Sequence, residues 1–227
     1  KILQNNLMQF FYVALPLMAL SIILAKPGLF ALNPVYTIAI PIVILLTLRQ
    51  FLTSMNLIFF ESLQGIEKVD LDEKATFKDY AKSKLILFPT FQMIRHGIYI
   101  GSLVIILTLV NNENTAEIDL VFYWALIGLI IEIPLFTYIL KLTKKSFTLK
   151  LDFKSILKYL GSCIIIFGII YGFMEEYLVY ENNIFEFLPK VIIFGMIGTI
   201  FYIIMTYLID KKTKILVKSV IKELTKK

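Results

Sequence analysis

The chain is poor in the residues that most often carry chemistry. It has one cysteine, one histidine and one tryptophan in 227 residues. The lone Cys163 excludes an internal disulfide, and with only His96 beside it no common metal-ligand set can be built. Cys163 sits in an apolar run, where it reads as a small packing residue. There is no glycine-rich phosphate loop, no HExxH and no GxSxG. The longest polar connection is about 25 residues, where a small domain needs roughly 50. Nothing in the sequence supports an enzyme, and nothing calls for a cofactor.

What is abundant is apolar. Hydrophobic residues make up 58% of the chain, above the roughly 45–50% of ordinary soluble domains. They are gathered into six runs, at about 7–25, 35–60, 85–110, 120–140, 156–174 and 187–209. Each is long enough for the roughly 20 residues that cross a bilayer as a helix. The runs are too long and too continuous for barrel strands, so an all-α, polytopic membrane protein with six transmembrane helices is expected. The chain opens on Lys1 and runs straight into an apolar segment with no leader pattern, which reads as a piece of a longer protein.

Lysines orient the spans. The connections 61–84 and 141–158 and the tail after Asp210 together hold eighteen cations. The connections on the other side hold two, Lys26 and Lys190. By the positive-inside rule both termini face the cytoplasm of a cell membrane. The same distribution accounts for the net charge of +6 without a nucleic-acid partner. Thr76 with Asp79 is a helix-start signal, and Asp152 is placed to cap the fifth span. The tail "DKKTKILVKSVIKELTKK" puts Leu216, Val217, Val220, Ile221 and Leu224 at helical spacing among lysines. Such a helix can lie on an anionic leaflet, or act simply as a charged topology anchor.

Ionisable groups inside spans are the informative exceptions, because an arginine at mid-bilayer costs roughly 2.5–3.5 kcal/mol on insertion scales. They are Arg49, Arg95, His96 and Glu132. With a rise of about 1.5 Å per residue, Arg49 lies about 21 Å, and Glu132 about 18 Å, from the outer ends of their spans. Arg95 lies about 15 Å from the inner end of its own. The three can share one level. Gln92, Arg95, Tyr99 and Ser102 form one polar stripe, and Arg49, Thr53 and Asn56 another. Gly128 and Ala125 beside Glu132 are small enough for close helix approach. Arg49, Arg95, Glu132, Gln92, Tyr99 and Asn56 are therefore the substrate-path candidates. Arg95 and Glu132 form either a packing salt bridge or a cationic lining with Glu132 as counter-charge or proton-coupling group. His96 is turned about 100° from Arg95 and is expected to be a packing residue. Pro16, Pro41, Pro89 and Pro134 lie inside spans, where proline bends a helix.

Four stretches carry a resemblance: "FFYVALPLMALSIILAKPGLFALNPVYTIAIPIVILL", "ESLQGIEKVD", "LKLTKKSFTLKLDFKSILKYLGSCIIIFGIIY" and "IGTIFYIIMTYLIDKKTKILVKSVIKEL". In this order the chain resembles the C-terminal half of a flippase of the MATE-like (multidrug/oligosaccharidyl-lipid/polysaccharide) exporter superfamily. The resemblance implies that residues 1–150 are the last four helices of a second lobe, and 151–227 an extra helix pair with a basic tail. It implies transport of a polyprenyl-phosphate-linked oligosaccharide or polysaccharide precursor by alternating access. The partners implied are the bilayer, the lipid-linked glycan and a missing N-terminal half, in the same or a separate chain. Two alternatives remain open: a non-transporting scaffold for glycan-assembly enzymes, and a drug or cation exporter of the same superfamily.

Overall fold

The computed structural model describes residues 2–67, 69, 76–110, 117–149, 151–181 and 183–224, without the side chains of 82, 110, 216 and 219–224. Lys68, Lys74, Glu113 and Lys150 lie outside the described residues, as do the side chains of Lys82, Leu216, Val220, Ile221 and Leu224. The described residues form helices and connections only. In chain order these are α1 (Ile2–Ile23), α2 (Ala25–Leu32), a 3-10 segment (Pro34–Ala39), α3 (Ile40–Gln64), α4 (Phe77–Lys82), α5 (Lys84–Val110), α6 (Glu117–Ser146), α7 (Phe153–Tyr177), α8 (Ile184–Ile209) and α9 (Lys211–Leu224).

Six of these elements are long and apolar enough to cross a membrane: α1, the 3-10 segment with α3, α5, α6, α7 and α8. They coincide with the six apolar runs of the sequence. Their outer faces carry many exposed large apolar side chains, including Ile192, Ile193, Met196, Ile200 and Phe201 on α8. In water such a surface would be an aggregation liability, whereas in hydrocarbon it is the wetted face. Pro16, Pro89 and Pro134 lie within α1, α5 and α6. Pro41 stands at the second residue of α3, directly after the 3-10 segment, so it marks a change of helix type rather than a mid-helix break. Its missing N–H falls where a helix leaves that group unpaired in any case.

The chain divides into two compact units, residues 1–40 with 150–227, and residues 41–149. These packing units have different bounds from the 1–150 and 151–227 segments of the sequence reading, which describe places in a larger transporter rather than contacts. In the first unit α7 packs against both α1 and α8. Its buried stripe Tyr159, Cys163, Phe167, Ile170 and Met174 recurs every three or four residues, the spacing of one helix face. On α8 the matching stripe is Phe187, Val191, Gly195, Gly198, Tyr202 and Thr206. Gly198 sets the distance of approach: a Cβ there would lie 2.9 Å from a ring carbon of Phe167. Tyr202 Oη donates to the backbone carbonyl of Tyr12 at 2.9 Å and ties α8 to α1.

In the second unit α5 packs on α6, and α4 leads into α5. The Thr76 N–H donates to the Asp79 carboxylate at 2.9 Å, as the helix-start signal indicates. The first N–H of α5, on Lys84, donates to Glu67 Oε2 at 2.9 Å, so an upstream carboxylate serves as its cap. Long side chains link α3 to its neighbours. Phe60 stacks on Phe88 of α5, with centroids 3.9 Å apart, and Phe59 lies near Phe136 of α6. The remaining links are polar and belong to the candidate site.

Candidate functional site

Glu132 is the centre of the second unit. It is 1% exposed, a position where a carboxylate must be paired to stay charged. Both of its oxygens are engaged, each by a different helix. Arg95 Nη1 on α5 donates to Oε2 at 3.0 Å, and Asn56 Nδ2 on α3 donates to Oε1 at 2.8 Å. On α3 it is Asn56, two turns beyond Arg49, that reaches Glu132, so Glu132 sits level with Asn56 and Arg49 lies nearer Gly128, one turn away on α6.

Arg49 stands close by and lacks such a carboxylate. Its guanidinium carbon lies 5.3 Å from the centre of the Tyr99 ring, within the range of a cation–π contact. It also lies against the backbone of α6 at Gly128, where a Cβ would come 2.6 Å from Nη1. Gly128 therefore provides the room that Arg49 occupies. Among the described residues, Arg49 has no salt-bridge partner. Two guanidiniums and one carboxylate leave this cluster with a net positive charge.

The cluster also holds unused polar atoms. Asn56 Oδ1, Gln92 Oε1 and Tyr99 Oη are buried and have no hydrogen-bond partner. Leaving such a group unsatisfied costs about 1–3 kcal/mol. All six substrate-path candidates thus belong to this unit. Glu132, Arg95 and Asn56 are joined directly, Arg49 and Tyr99 touch each other, and Gln92 lies one turn before Arg95 on the same stripe. Beside them runs an apolar groove of about 380 Å³ between α5 and α6, lined by Phe91, Ile94, Ile98, Ile130 and Pro134 among others, with Arg95 as its only charge.

His96 departs from expectation. Its side chain is exposed rather than packed, and its Nε2 lies 3.4 Å from Arg95 Nη2. The face of α5 that carries His96 is turned outward, with Met93 75% and Ile100 59% exposed, and the long Arg95 stem lets its head group reach the neighbouring ring.

A second polar cluster, in the first unit, was not foreseen from the sequence. Asp210 is 3% exposed and links α8 to α9. It accepts from Tyr159 Oη at 3.0 Å, from Ser155 Oγ at 3.0 Å, from the Thr213 N–H at 3.1 Å and from Lys158 Nζ at 3.3 Å. Lys158 Nζ also donates to the Ile209 carbonyl at the end of α8, at 2.9 Å. The signal that could have revealed this was "DKKT": an aspartate just before a helix, with its side chain serving the N–H three residues on. Asp152 caps α7 as the sequence suggests, accepting from the Ser155 N–H at 3.3 Å, and it pairs with Lys212 of α9 at 2.9 Å. The Lys212 ammonium draws the Asp152 pKa down to about 2. For Asp210, burial pushes the pKa up, but the donors from Thr213, Ser155, Tyr159 and Lys158 outweigh it and the net shift is downward. At the other end of the unit, the hydrogen bond to Glu175 raises the Lys26 pKa.

Among the described residues, no group of three or more His, Cys, Asp or Glu side chains could hold a metal ion. The chain matches no known family model, no curated protein and no solved structure.

Proposed function

We propose that this chain is part of a membrane transporter that moves a polyprenyl-phosphate-linked glycan precursor across the cytoplasmic membrane, with both termini on the cytoplasmic side. The step is binding and displacement by alternating access, in company with further helices of a MATE-like exporter in the same or a separate chain. The carrying observation is Arg49, a cation inside a span with no carboxylate partner among the described residues, facing Tyr99 in a unit where Asn56 Oδ1, Gln92 Oε1 and Tyr99 Oη are buried without hydrogen-bond partners. An uncompensated cation at this depth is costly, and an anionic, hydroxyl-rich ligand would offset the cost. The α5–α6 groove next to Arg95 adds an apolar wall suited to a lipid chain. A cationic drug fits less well, because both oxygens of Glu132 are already engaged within the protein.

The test is glycan export in cells that carry the full-length protein. Arg49→Leu should abolish export while membrane abundance is unchanged, and Arg49→Lys should retain part of it. Normal export by Arg49→Leu would refute the reading.

A further inference from the structure

The first unit contains a cavity with a composition unlike the rest of the spans. It measures about 350 Å³ and is lined by Asn5, Met8, Gln9 and Tyr12 of α1, Tyr159 of α7, and Lys212, Thr213 and Ile215 of α9. The α1 residues stand at positions 5, 8, 9 and 12, one face of a helix. Asn5 and Gln9 are thus two amides that α1 turns to one side within an apolar span. Tyr12 meets Tyr159 edge to face, with centroids 5.4 Å apart.

The cavity lies at the ends of three spans. Asn5 is about 5 Å from the start of α1, Tyr159 about 9 Å from the start of α7, and α9 begins just past the end of α8. The cavity thus runs from the polar layer, about 5–8 Å deep on each side, where Asn5 lies, to the upper acyl region, with Gln9 and Tyr12 about 10 and 15 Å from the start of α1. The charge balance at the polar layer is positive. Lys212 lines the cavity, 55% exposed and bridged to Asp152 at 2.9 Å, while Lys211 and Lys218 are exposed on α9 with no carboxylate partner among the described residues. Lys214 lies over the Tyr207 ring at 5.7 Å and has no acid partner among the described residues. Ile215, 70% exposed, adds an apolar contact beside the amides. The Thr213 N–H is already spent on Asp210, so the start of α9 is fixed in place rather than offering its own donors.

We infer that this cavity is a binding site for the headgroup of an anionic glycerophospholipid. Asn5 and Gln9 hydrogen-bond the phosphodiester and glycerol oxygens, and Lys212, which also bridges to Asp152, turns its remaining N–H donors to the phosphate within the positive field of Lys211, Lys214 and Lys218. Met8, Ile215 and the two tyrosine rings contact the upper acyl chain. The Asp210 network holds α9 at the angle that closes the site. The inference is independent of what the protein transports.

The experiment uses the full-length protein in nanodiscs of phosphatidylcholine with or without phosphatidylglycerol, and counts lipids retained by native mass spectrometry. Wild type should retain phosphatidylglycerol in preference to phosphatidylcholine. Gln9→Leu and Lys212→Gln are substitutions at exposed side chains. Lys212→Gln should lower that preference about fivefold, the worth of one lysine at an anionic surface, with only the small stability loss of an exposed ion pair. Gln9→Leu should lower it several-fold, the worth of one hydrogen bond, with thermal stability unchanged. Equal retention of the two lipids would overturn the site. So would displacement of bound lipid by free glycerol phosphate. A preference that survives both variants, yet vanishes in Lys214→Gln/Lys218→Gln, would overturn it too, since that pattern belongs to diffuse attraction along α9.

Discussion

Each of the two units buries one carboxylate, Glu132 well inside its spans and Asp210 where α8 meets α9, and the two are treated differently. Asp210 is surrounded by donors from Ser155, Lys158, Tyr159 and Thr213, and the first unit's one buried side-chain oxygen without a partner among the described residues is Ser162 Oγ, a turn farther along α7. Glu132 has a donor on each oxygen, but its neighbours include an extra arginine and three oxygens without partners. A satisfied network fixes geometry and has no further use for a ligand. An over-charged, under-bonded one carries a standing cost, which a ligand can relieve. The contrast marks Asp210 as a hinge pin and the Glu132 neighbourhood as the place to look for a substrate.

The largest effect should come from breaking the Glu132 pair on one side. Arg95→Leu leaves a buried carboxylate uncompensated and should cost about 3–5 kcal/mol, read from denaturant unfolding in detergent. Arg95→Leu with Glu132→Leu should recover most of that loss, so the double variant separates charge from packing. Next is Asp210→Asn, which should cost about 1.5–3 kcal/mol, the range for hydrogen bonds to a charged group. It should also free α9, seen as faster tryptic cleavage at Lys211 and Lys212 with the spans intact. Smaller again is a comparison of two glycines. Gly198→Ala forces a methyl against the Phe167 ring and should cost about 1–3 kcal/mol as overpacking. Gly128→Ala meets the flexible tip of Arg49 instead, so it should cost less stability while displacing Arg49 and reducing export. The smallest effect is on pH dependence. The folded-state pKa of Asp152 is lowered to about 2, so its contribution is complete above the usual carboxylate value of about 3.9 and is lost as pH falls toward 2. Asp210 shifts the same way. Hydrogen exchange in α9 should therefore rise across that window, and Asp152→Asn should flatten the rise.

The spans were legible because hydrocarbon thickness fixes their length and leaves few other patterns. Depth allowed Arg95 and Glu132 to share one level, but it left a salt bridge and a substrate lining as equal alternatives, because a common depth does not say which groups touch. The pairing of α1 with α7 was not legible, because apolar runs look alike and nothing in their composition states which will touch. The Asp210 network was missed for a related reason. Lys158 and Lys212 were counted as topology lysines, and a count of charge outside spans does not distinguish an exposed lysine from one pinned to an aspartate. His96 was placed on the correct helix face, but the reach of its neighbour's side chain is not a property of the face.

The hydrogen bond from Tyr202 to Tyr12 joins residues 190 positions apart. At roughly 5–20 residues per second, a ribosome takes about 10–40 s to make the intervening chain. For that interval α1 resides in the bilayer without the helices against which Leu7 and Leu15 are buried. The second unit is contiguous and can assemble while the chain is still emerging, whereas the first must wait for α7 and α8. The amides and tyrosine of α1 are unmatched during that time, and a chaperone or lipid that shields them would act on the nascent protein in a window the finished fold no longer shows.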